Sequence, residues 1–334
     1  MISASESPVF VSGAVARQVF DWRAAIEALR TTYAQPASAG TTPPRSVATV
    51  GQAWLRTLPA MPAGCRYFGA KLMGAGDAGV KAGIEYVITL FDRTNGRIVA
   101  FLDANTITAY RTAATSALAL DALAPTGPAR LALLGSGLEA SNHARAIAAV
   151  RPLREIVIYS PTPERRGALA TTLARELGVP ARAADSGETA VDGADLVVAA
   201  ARSYGEQPIL FAHWLAPHAT VVSIGSTIPQ QRELDAGVIE RSSVIVCDAL
   251  EEVLHETGDM IAARRAGIAF QEKACSLHDL IGGGRRELAA LPGLRLFKSV
   301  GGGLQDIVVA GQILDAALEA GLATALPMAF ETKH

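Results

Sequence analysis

Apolar positions in the first third of the chain fall at helical spacing, then at strand spacing, then at helical spacing again. Residues 19–35, VFDWRAAIEALRTTYAQ, repeat apolar side chains at helical intervals, and Asp21 is placed to cap the first turn. Small residues and prolines in QPASAGTTPPRSVATV end that helix and lead into a short strand. YFGAKLMGA reads as a second strand. IEYVITLFDRTNGRIVAFLD reads as a hairpin whose turn is Asp92–Gly96, with Asn95-Gly96 supplying the turn signal. NTITAYRTAATSALALDALA predicts a long helix, capped by Asn105 or Thr106, with alanines on its packed face.

Near PTGPAR (125–130) the pattern changes to alternating strands and helices. Strands are predicted at 131–135, 155–160, 194–201, 219–226 and 243–248, with helices at 138–150 and 163–178. That alternation is the signature of a doubly wound parallel sheet of the Rossmann type, so the fold class is α/β. The first strand runs straight into Gly135-Ser136-Gly137-Leu138-Glu139-Ala140, a G-x-G-x-x-A turn. Gly135 suits a turn too sharp for a Cβ, Gly137 leaves room for a pyrophosphate, and Ala140 lets the helix lie close on the strand. These six residues are the expected cofactor cradle, with the helix N-terminus offering free N–H groups to phosphate.

The tip of the second strand bears on the kind of dinucleotide. A carboxylate there would bind ribose hydroxyls and favour NAD. The chain instead reads YSPTPERR, with Ser160 and Thr162 followed by Arg165 and Arg166, and Glu164 falls late enough to sit in the next helix. Hydroxyls and arginines suit a 2′-phosphate, so NADP(H) is expected, with NAD(H) the alternative.

Composition narrows the classes. The chain has 334 residues, enough for two domains, and it is 50% hydrophobic and 19% charged with a net charge of −2. No long basic run is present, which argues against a nucleic-acid partner. No apolar run is long enough for a membrane span, and MISASESPVF lacks the pattern of a signal peptide. Three widely spaced cysteines, Cys65, Cys247 and Cys275, read as reduced thiols of a cytoplasmic protein. The six histidines show no H-E-x-x-H or H-x-H spacing, so no metal site is expected. HETGDM, with His255 and Asp259, reads as a solvated loop after the last strand, and IGGGRR (281–286) as a flexible connector.

The runs PPRSVATV, GAKLM, LFDRTNGRIVAFLDANTITAYRTAATSALA, LLGSGLEA, PILFAHWLAPHATVVSIGSTIPQQRELD and LFKSVGGGLQD follow one another in order. Through them the chain resembles the ornithine cyclodeaminase/mu-crystallin family over nearly its whole length. The resemblance implies a homodimer in which residues 1–124 and 304–334 form a substrate-binding and dimerisation domain. Residues 125–303 would be the inserted dinucleotide-binding domain, and a small imino or amino acid would bind between the two.

It also implies site residues. Arg45 would pair with the substrate carboxylate, a task that suits a planar guanidinium. Lys71, in an apolar strand, would handle a proton or orient that carboxylate. Arg111 would touch substrate carboxylate or cofactor phosphate, with Thr112 beside it. Ser226 and Ser299 fall at cofactor positions, and Val300 in the loop closing over nicotinamide and substrate. Asp306 would serve as a cap or in interdomain pairing. Met61, Met73, Val300 and Thr227 would shape the pocket, and GAGDAGVKAGIEY is shorter than its family counterpart.

One departure bears on activity. Cyclodeaminases of the family carry an aspartate acid/base where this chain has Thr227, and a threonine hydroxyl is a poor base near neutral pH. Ornithine cyclisation is therefore disfavoured. The expectation is NAD(P)H-dependent reduction of a small α-imino acid, cyclic or acyclic, by hydride transfer to C2. Oxidative deamination of an amino acid and a non-catalytic binding role are the alternatives.

Overall fold

The computed structural model describes residues 7–37, 40–79, 83–201, 207–283, 285–327 and 330–333. The readings placed on residues 1–6, on residues 80–82 of GAGDAGVKAGIEY, on Gly284 and on His334 lie outside them. The chain divides into two compact units, residues 1–112 with 302–334, and residues 113–301.

The first unit opens with β1 (Val9–Val11) and α1 (Gly13–Val19), both too short to show a period in the sequence. In α2 (Trp22–Tyr33) Asp21 is the cap, its Oδ1 accepting the Ala24 N–H at 2.7 Å. Then come β2 (Ser46–Val50), β3 (Ala53–Ala60), β4 (Tyr67–Ala75), β5 (Glu85–Asp92) and β6 (Ile98–Asp103), each antiparallel to the next. The pattern had missed β3, where Arg56 and Pro59 break the alternation. The β5–β6 turn is the expected one: Gly96 has φ +69° and its N–H donates to the Asp92 carbonyl. α3 (Ala104–Leu123) starts directly from β6. Its first-turn Asn105 N–H is accepted by Asp103 Oδ1 at 3.1 Å, so the capping side chain is Asp103 and neither Asn105 nor Thr106.

The second unit alternates as the pattern required. Its elements are β7 (Ala129–Leu134), α4 (Leu138–Val150), β8 (Leu153–Tyr159), α5 (Pro163–Leu177), β9 (Ala181–Ala183), α6 (Gly187–Val191), β10 (Leu196–Ala199) and β11 (Thr220–Ser223). There follow α7 (Ala236–Arg241), β12 (Ser242–Cys247), α8 (Leu250–Glu256), α9 (Gly258–Arg265), β13 (Ala274–Ser276), α10 (Leu277–Gly282) and β14 (Leu294–Lys298). All pairings are parallel, in the order β13-β12-β14-β11-β10-β7-β8-β9. The chain order reverses beside β7, so the glycine turn after β7 stands at the switch point where such sheets bind ligands.

Two loop expectations fail here. HETGDM is the end of α8 and the start of α9, with β13 and β14 still to come, and Asp259 is buried. IGGGRR begins inside α10, whose last residues are Ile281 and Gly282.

α11 (Gly303–Glu319) and β15 (Thr324–Ala325) complete the first unit, whose sheet runs β15-β1-β6-β5-β4-β3-β2. α11 packs on β3, β4, β5 and α2. β2 is the edge strand and is exposed along its whole length. No described helix is long and apolar enough to cross a membrane. All three cysteines are free, and burial pushes the Cys247 and Cys275 thiols up, the latter to about 11.

Candidate active site

Lys71 lies mid-way along β4 on the face that α11 covers, and 2% of it is exposed. Its Nζ is 2.9 Å from Asp306 Oδ1 and 2.8 Å from Asp306 Oδ2, with Thr108 Oγ1 at 3.5 Å. Arg111 donates from Nε to Asp306 Oδ1 at 3.0 Å and from Nη1 to Gln305 Oε1 at 3.0 Å. Gln305 Nε2 in turn donates to Tyr33 Oη at 3.1 Å. One carboxylate in the first turn of α11 thus holds two cations brought from β4 and α3. Burial lowers the Lys71 pKa to about 8; Asp306 opposes that shift, while Arg111 and Arg45 add to it.

Two expectations change. Asp306 is neither a cap nor an interdomain partner: the α11 N-cap is Gly302, and the Asp306 carboxylate serves Lys71 and Arg111 inside its own unit. The Thr112 hydroxyl donates to the Thr108 carbonyl of its own helix at 2.7 Å. Arg45 precedes β2, is half-buried, and is close enough to Lys71 to disfavour its charged form.

In the second unit the glycine turn has the geometry its sequence implied. Gly135 has φ +134°, and a Cβ there would sit 2.7 Å from the Ala200 carbonyl oxygen, so only glycine fits. Nothing lies within 4 Å of where a Gly137 Cβ would stand. Gly137 is the N-cap of α4 and contributes no side-chain cap, leaving the first N–H groups available. Ala140 is fully buried, and Leu138 is 62% exposed. Ser136 and Glu139 are half-buried beside the turn. An open turn, uncapped N–H groups and a small residue behind them fit a dinucleotide pyrophosphate.

At the tip of β8, Ser160 is buried, Thr162 is the N-cap of α5, and Arg165 is exposed. Arg166 is tied down instead, donating to the Ser160 carbonyl at 2.8 Å and to Asp185 Oδ1 at 3.1 Å. Glu164 lies in the first turn of α5, beyond the strand tip, as expected.

The loops after β11 and β14 carry the remaining positions. Ser226 is fully buried, and its hydroxyl donates to the Gln231 carbonyl at 2.5 Å, so that side chain is committed to its own loop. Thr227 is half-buried. Ser299 Oγ donates to Asp248 Oδ2 at 2.6 Å, and the N–H groups of Val300 and Gly301 also donate to Asp248. Behind the first loop lie Glu233, Asp259 and Lys298, at most 1% exposed. Burial raises the Glu233 carboxyl to about 7, and Lys298 opposes the shift. Sequence reading missed Glu233 and Lys298 and placed Asp259 in a solvated loop, although a lysine in the apolar run LFKSV is the same signal that marked Lys71.

Against known proteins, a profile of the ornithine cyclodeaminase/mu-crystallin family matches residues 12–321. The chain belongs to this family. It is similar to the ketimine reductase mu-crystallin of Mus musculus, 31% identical over 229 residues, covering 69% of this chain and 68% of that one. It is also similar to the crystal structure of a protein from Bordetella pertussis Tohama I described as a probable ornithine cyclodeaminase. That match has a TM-score of 0.83 and 31% identity, over 94% of this chain and 99% of that one. The iminosuccinate reductase of Paracoccus denitrificans, solved with NAD+, shares the fold at TM-score 0.87 and 24% identity, over 96% and 100% of the two chains. The Rossmann-type second unit and the α/β first unit are thus those of a solved family architecture.

Proposed function

We propose that this family member is a nicotinamide-dependent reductase of small α-imino acids. Two named relatives reduce imines and one is described as a probable cyclodeaminase, so the names alone do not choose. The observation that carries the reading is the Lys71–Asp306–Arg111 cluster: a buried ammonium, lowered to about 8, held by one carboxylate beside a second cation. A proton donor poised near neutrality is what an imine nitrogen requires. Thr227, standing where a cyclodeaminase needs a carboxylate, removes the competing chemistry.

A bound NADPH or NADH supplies the hydride that adds to C2. Arg45 holds the substrate carboxylate, and Arg111 supports it. Lys71 gives its proton to the imine nitrogen, directly or through one water, as the C=N electron pair moves onto that nitrogen. The product is an L-amino acid, and Lys71 regains its proton from solvent. The second unit is the dinucleotide-binding domain and the first the substrate domain. NADP(H) is the preferred cofactor, because Ser160, Thr162 and the exposed Arg165 surround a strand tip without a carboxylate. The fully exposed edge strand β2, with Val50 75% and Val47 46% exposed, supports a homodimer paired through this sheet. Three free thiols suit the cytoplasm.

The test is a panel of 2-oxo acids with ammonia or methylamine, and of cyclic ketimines, followed at the nicotinamide absorbance with NADPH and NADH. Turnover of cyclic or acyclic imines supports the reading. Cofactor binding without turnover on any of them overturns it in favour of a binding protein.

A further inference from the structure

A charged cluster in the second unit supports the loop that carries Thr227 from behind. Lys298 ends β14 and is fully buried. Its Nζ donates to the Ser226 carbonyl at 3.0 Å and to Ser223 Oγ at 3.0 Å, and lies 3.3 Å from Asp259 Oδ2. Asp259 Oδ1 accepts the backbone N–H groups of Glu233 and Leu234 at 2.9 and 3.0 Å. Glu233 Oε2 accepts the Ser223 hydroxyl and the Gly225 N–H, both at 2.7 Å. Gly225 must lack a Cβ, since one would fall 2.2 Å from Glu233 Oε1.

Two of the three N–H donors of the Lys298 ammonium are taken up by hydrogen bonds, and the Asp259 carboxylate faces its charge at ion-pair distance. What Lys298 does is hold a peptide. The Ser226–Thr227 peptide is trans, so its C=O and N–H point in opposite directions. With the carbonyl turned onto Lys298, the Thr227 N–H turns away from it and donates to Gln231 Oε1 at 3.4 Å, a long hydrogen bond to a half-buried side chain that a ligand oxygen would have to displace. A cation on the carbonyl also polarises the peptide and strengthens that N–H as a donor.

We propose that Lys298 is a positioning residue that fixes the Ser226–Thr227 peptide, so that the Thr227 N–H donates to an oxygen of the bound ligand beyond the end of β11. This rests on the reading above, in which the second unit binds the dinucleotide, and sheets of this kind bind their ligands at the carboxyl ends of the strands, where the loop after β11 lies. The oxygen is an sp² acceptor, either the carboxamide of the nicotinamide or the carboxylate of the substrate.

The test uses the full-length double variant Lys298→Met/Asp259→Asn. It removes one cation with one anion, and the asparagine keeps an acceptor for the two backbone N–H groups. Amide hydrogen exchange over residues 224–231 is expected to accelerate roughly tenfold or more while residues 135–140 stay unchanged. With the preferred imine, kcat is expected to fall roughly tenfold or more. If the carboxamide is the acceptor, NADPH binding weakens while 2′-phospho-ADP-ribose, which lacks nicotinamide, binds as before. If the carboxylate is the acceptor, the imine KM rises and NADPH affinity holds. Wild-type values for exchange, kcat, KM and NADPH affinity in the folded double variant overturn the proposal.

Two further readings keep the proposal separable from the assignment of function. Faster exchange in the variant, with a wild type that reduces no imine, sinks the reductase reading and leaves the loop-holding role standing. Should the double variant not fold, wild-type protein labelled with ¹⁵N-threonine decides. The Thr227 amide, assigned by Thr227→Ser, must move downfield with saturating NADPH and proline, and a resonance that stays in place overturns the donor role.

Discussion

Lys71 and Asp306 stand 235 positions apart in the chain and 2.8 Å apart in space, one on β4 and the other in the first turn of α11. The pair joins the N-terminal and C-terminal parts of one unit and sets the proton affinity of the only lysine on that strand. Burial lowers Lys71, the Asp306 carboxylate opposes the shift, and a pKa of about 8 results. Lys71 is therefore mostly protonated at neutral pH. Imine reduction consumes that proton, so its rate should fall as pH rises through about 8, while the oxidative direction should rise through the same value. Lys71→Met should lose on the order of 100-fold or more in kcat and bind NADPH normally. A pH–rate profile and a cofactor titration check this, and a variant retaining wild-type kcat would reject the proton role.

Arg165 offers a test of the cofactor reading that is independent of catalysis. It is exposed beyond β8, whereas its neighbour Arg166 is engaged with Asp185 and the Ser160 carbonyl. If Arg165 contacts the 2′-phosphate, Arg165→Ala should weaken NADPH by about tenfold and leave NADH nearly unchanged, since one exposed charge-assisted contact is worth roughly 1–2 kcal/mol. Fluorescence titrations with the two cofactors make the comparison. Equal losses for both would show that Arg165 supports the turn and does not select the phosphate.

The parts of this molecule that sequence could show were those with long-range regularity or a well-known local chemistry. β7, β10, β11 and β12 each carry a short apolar run, and Gly135 and Gly96 announce turns that only glycine makes easily. β9 and β13, at three residues each, carry too little pattern to register. β14 was hidden differently: in LRLFK two of five residues are charged, yet all five are buried. Arg295 meets that burial by donating to the Leu291 and Gly293 carbonyls, and Lys298 by two hydrogen bonds and its ion pair with Asp259. In the site, Lys71 stood out as a cation in an apolar strand, while Arg111 and Asp306 were marked only by the family resemblance. The role of Asp306 was misjudged, because nothing local to it indicates which distant side chains will reach it.

Glu233 makes the second unit sensitive to pH. In the folded chain its carboxyl is raised from 4.5 to about 7, chiefly by burial. Between those values the folded protein holds a proton that the unfolded chain has lost, so stability falls as pH rises across the window. The contribution is fully present below about 4.5 and gone above about 7. Glu233→Gln cannot ionise and should not show this loss. Relative to wild type, the variant should gain on the order of 2–3 kcal/mol between pH 4.5 and pH 7.5. Denaturant unfolding of both proteins at the two pH values measures it. A stability difference that does not change with pH would place the proton elsewhere in the Glu233–Asp259–Lys298 cluster.

On the proposed reading, Thr227 separates reduction from cyclodeamination. Ammonia loss from ornithine needs a carboxylate to move protons at the reacting carbon and nitrogen, and a threonine hydroxyl does not ionise usefully in the working pH range. Wild-type protein given ornithine and NAD should therefore release neither proline nor ammonia, while reducing at least one imine on the panel. Thr227→Asp would add an anion at the end of β11, half-buried and next to the peptide that Lys298 holds. There it would repel an anionic ligand brought to the end of β11, so imine reduction should drop by about tenfold or more. Proline formation by that variant is not required, because an acid/base is necessary for ammonia loss but need not be sufficient. Chromatographic detection of proline, with ammonia measured in parallel, reads both outcomes. Robust conversion of ornithine to proline by the wild type would overturn the reductase assignment, and the role given to Thr227 with it.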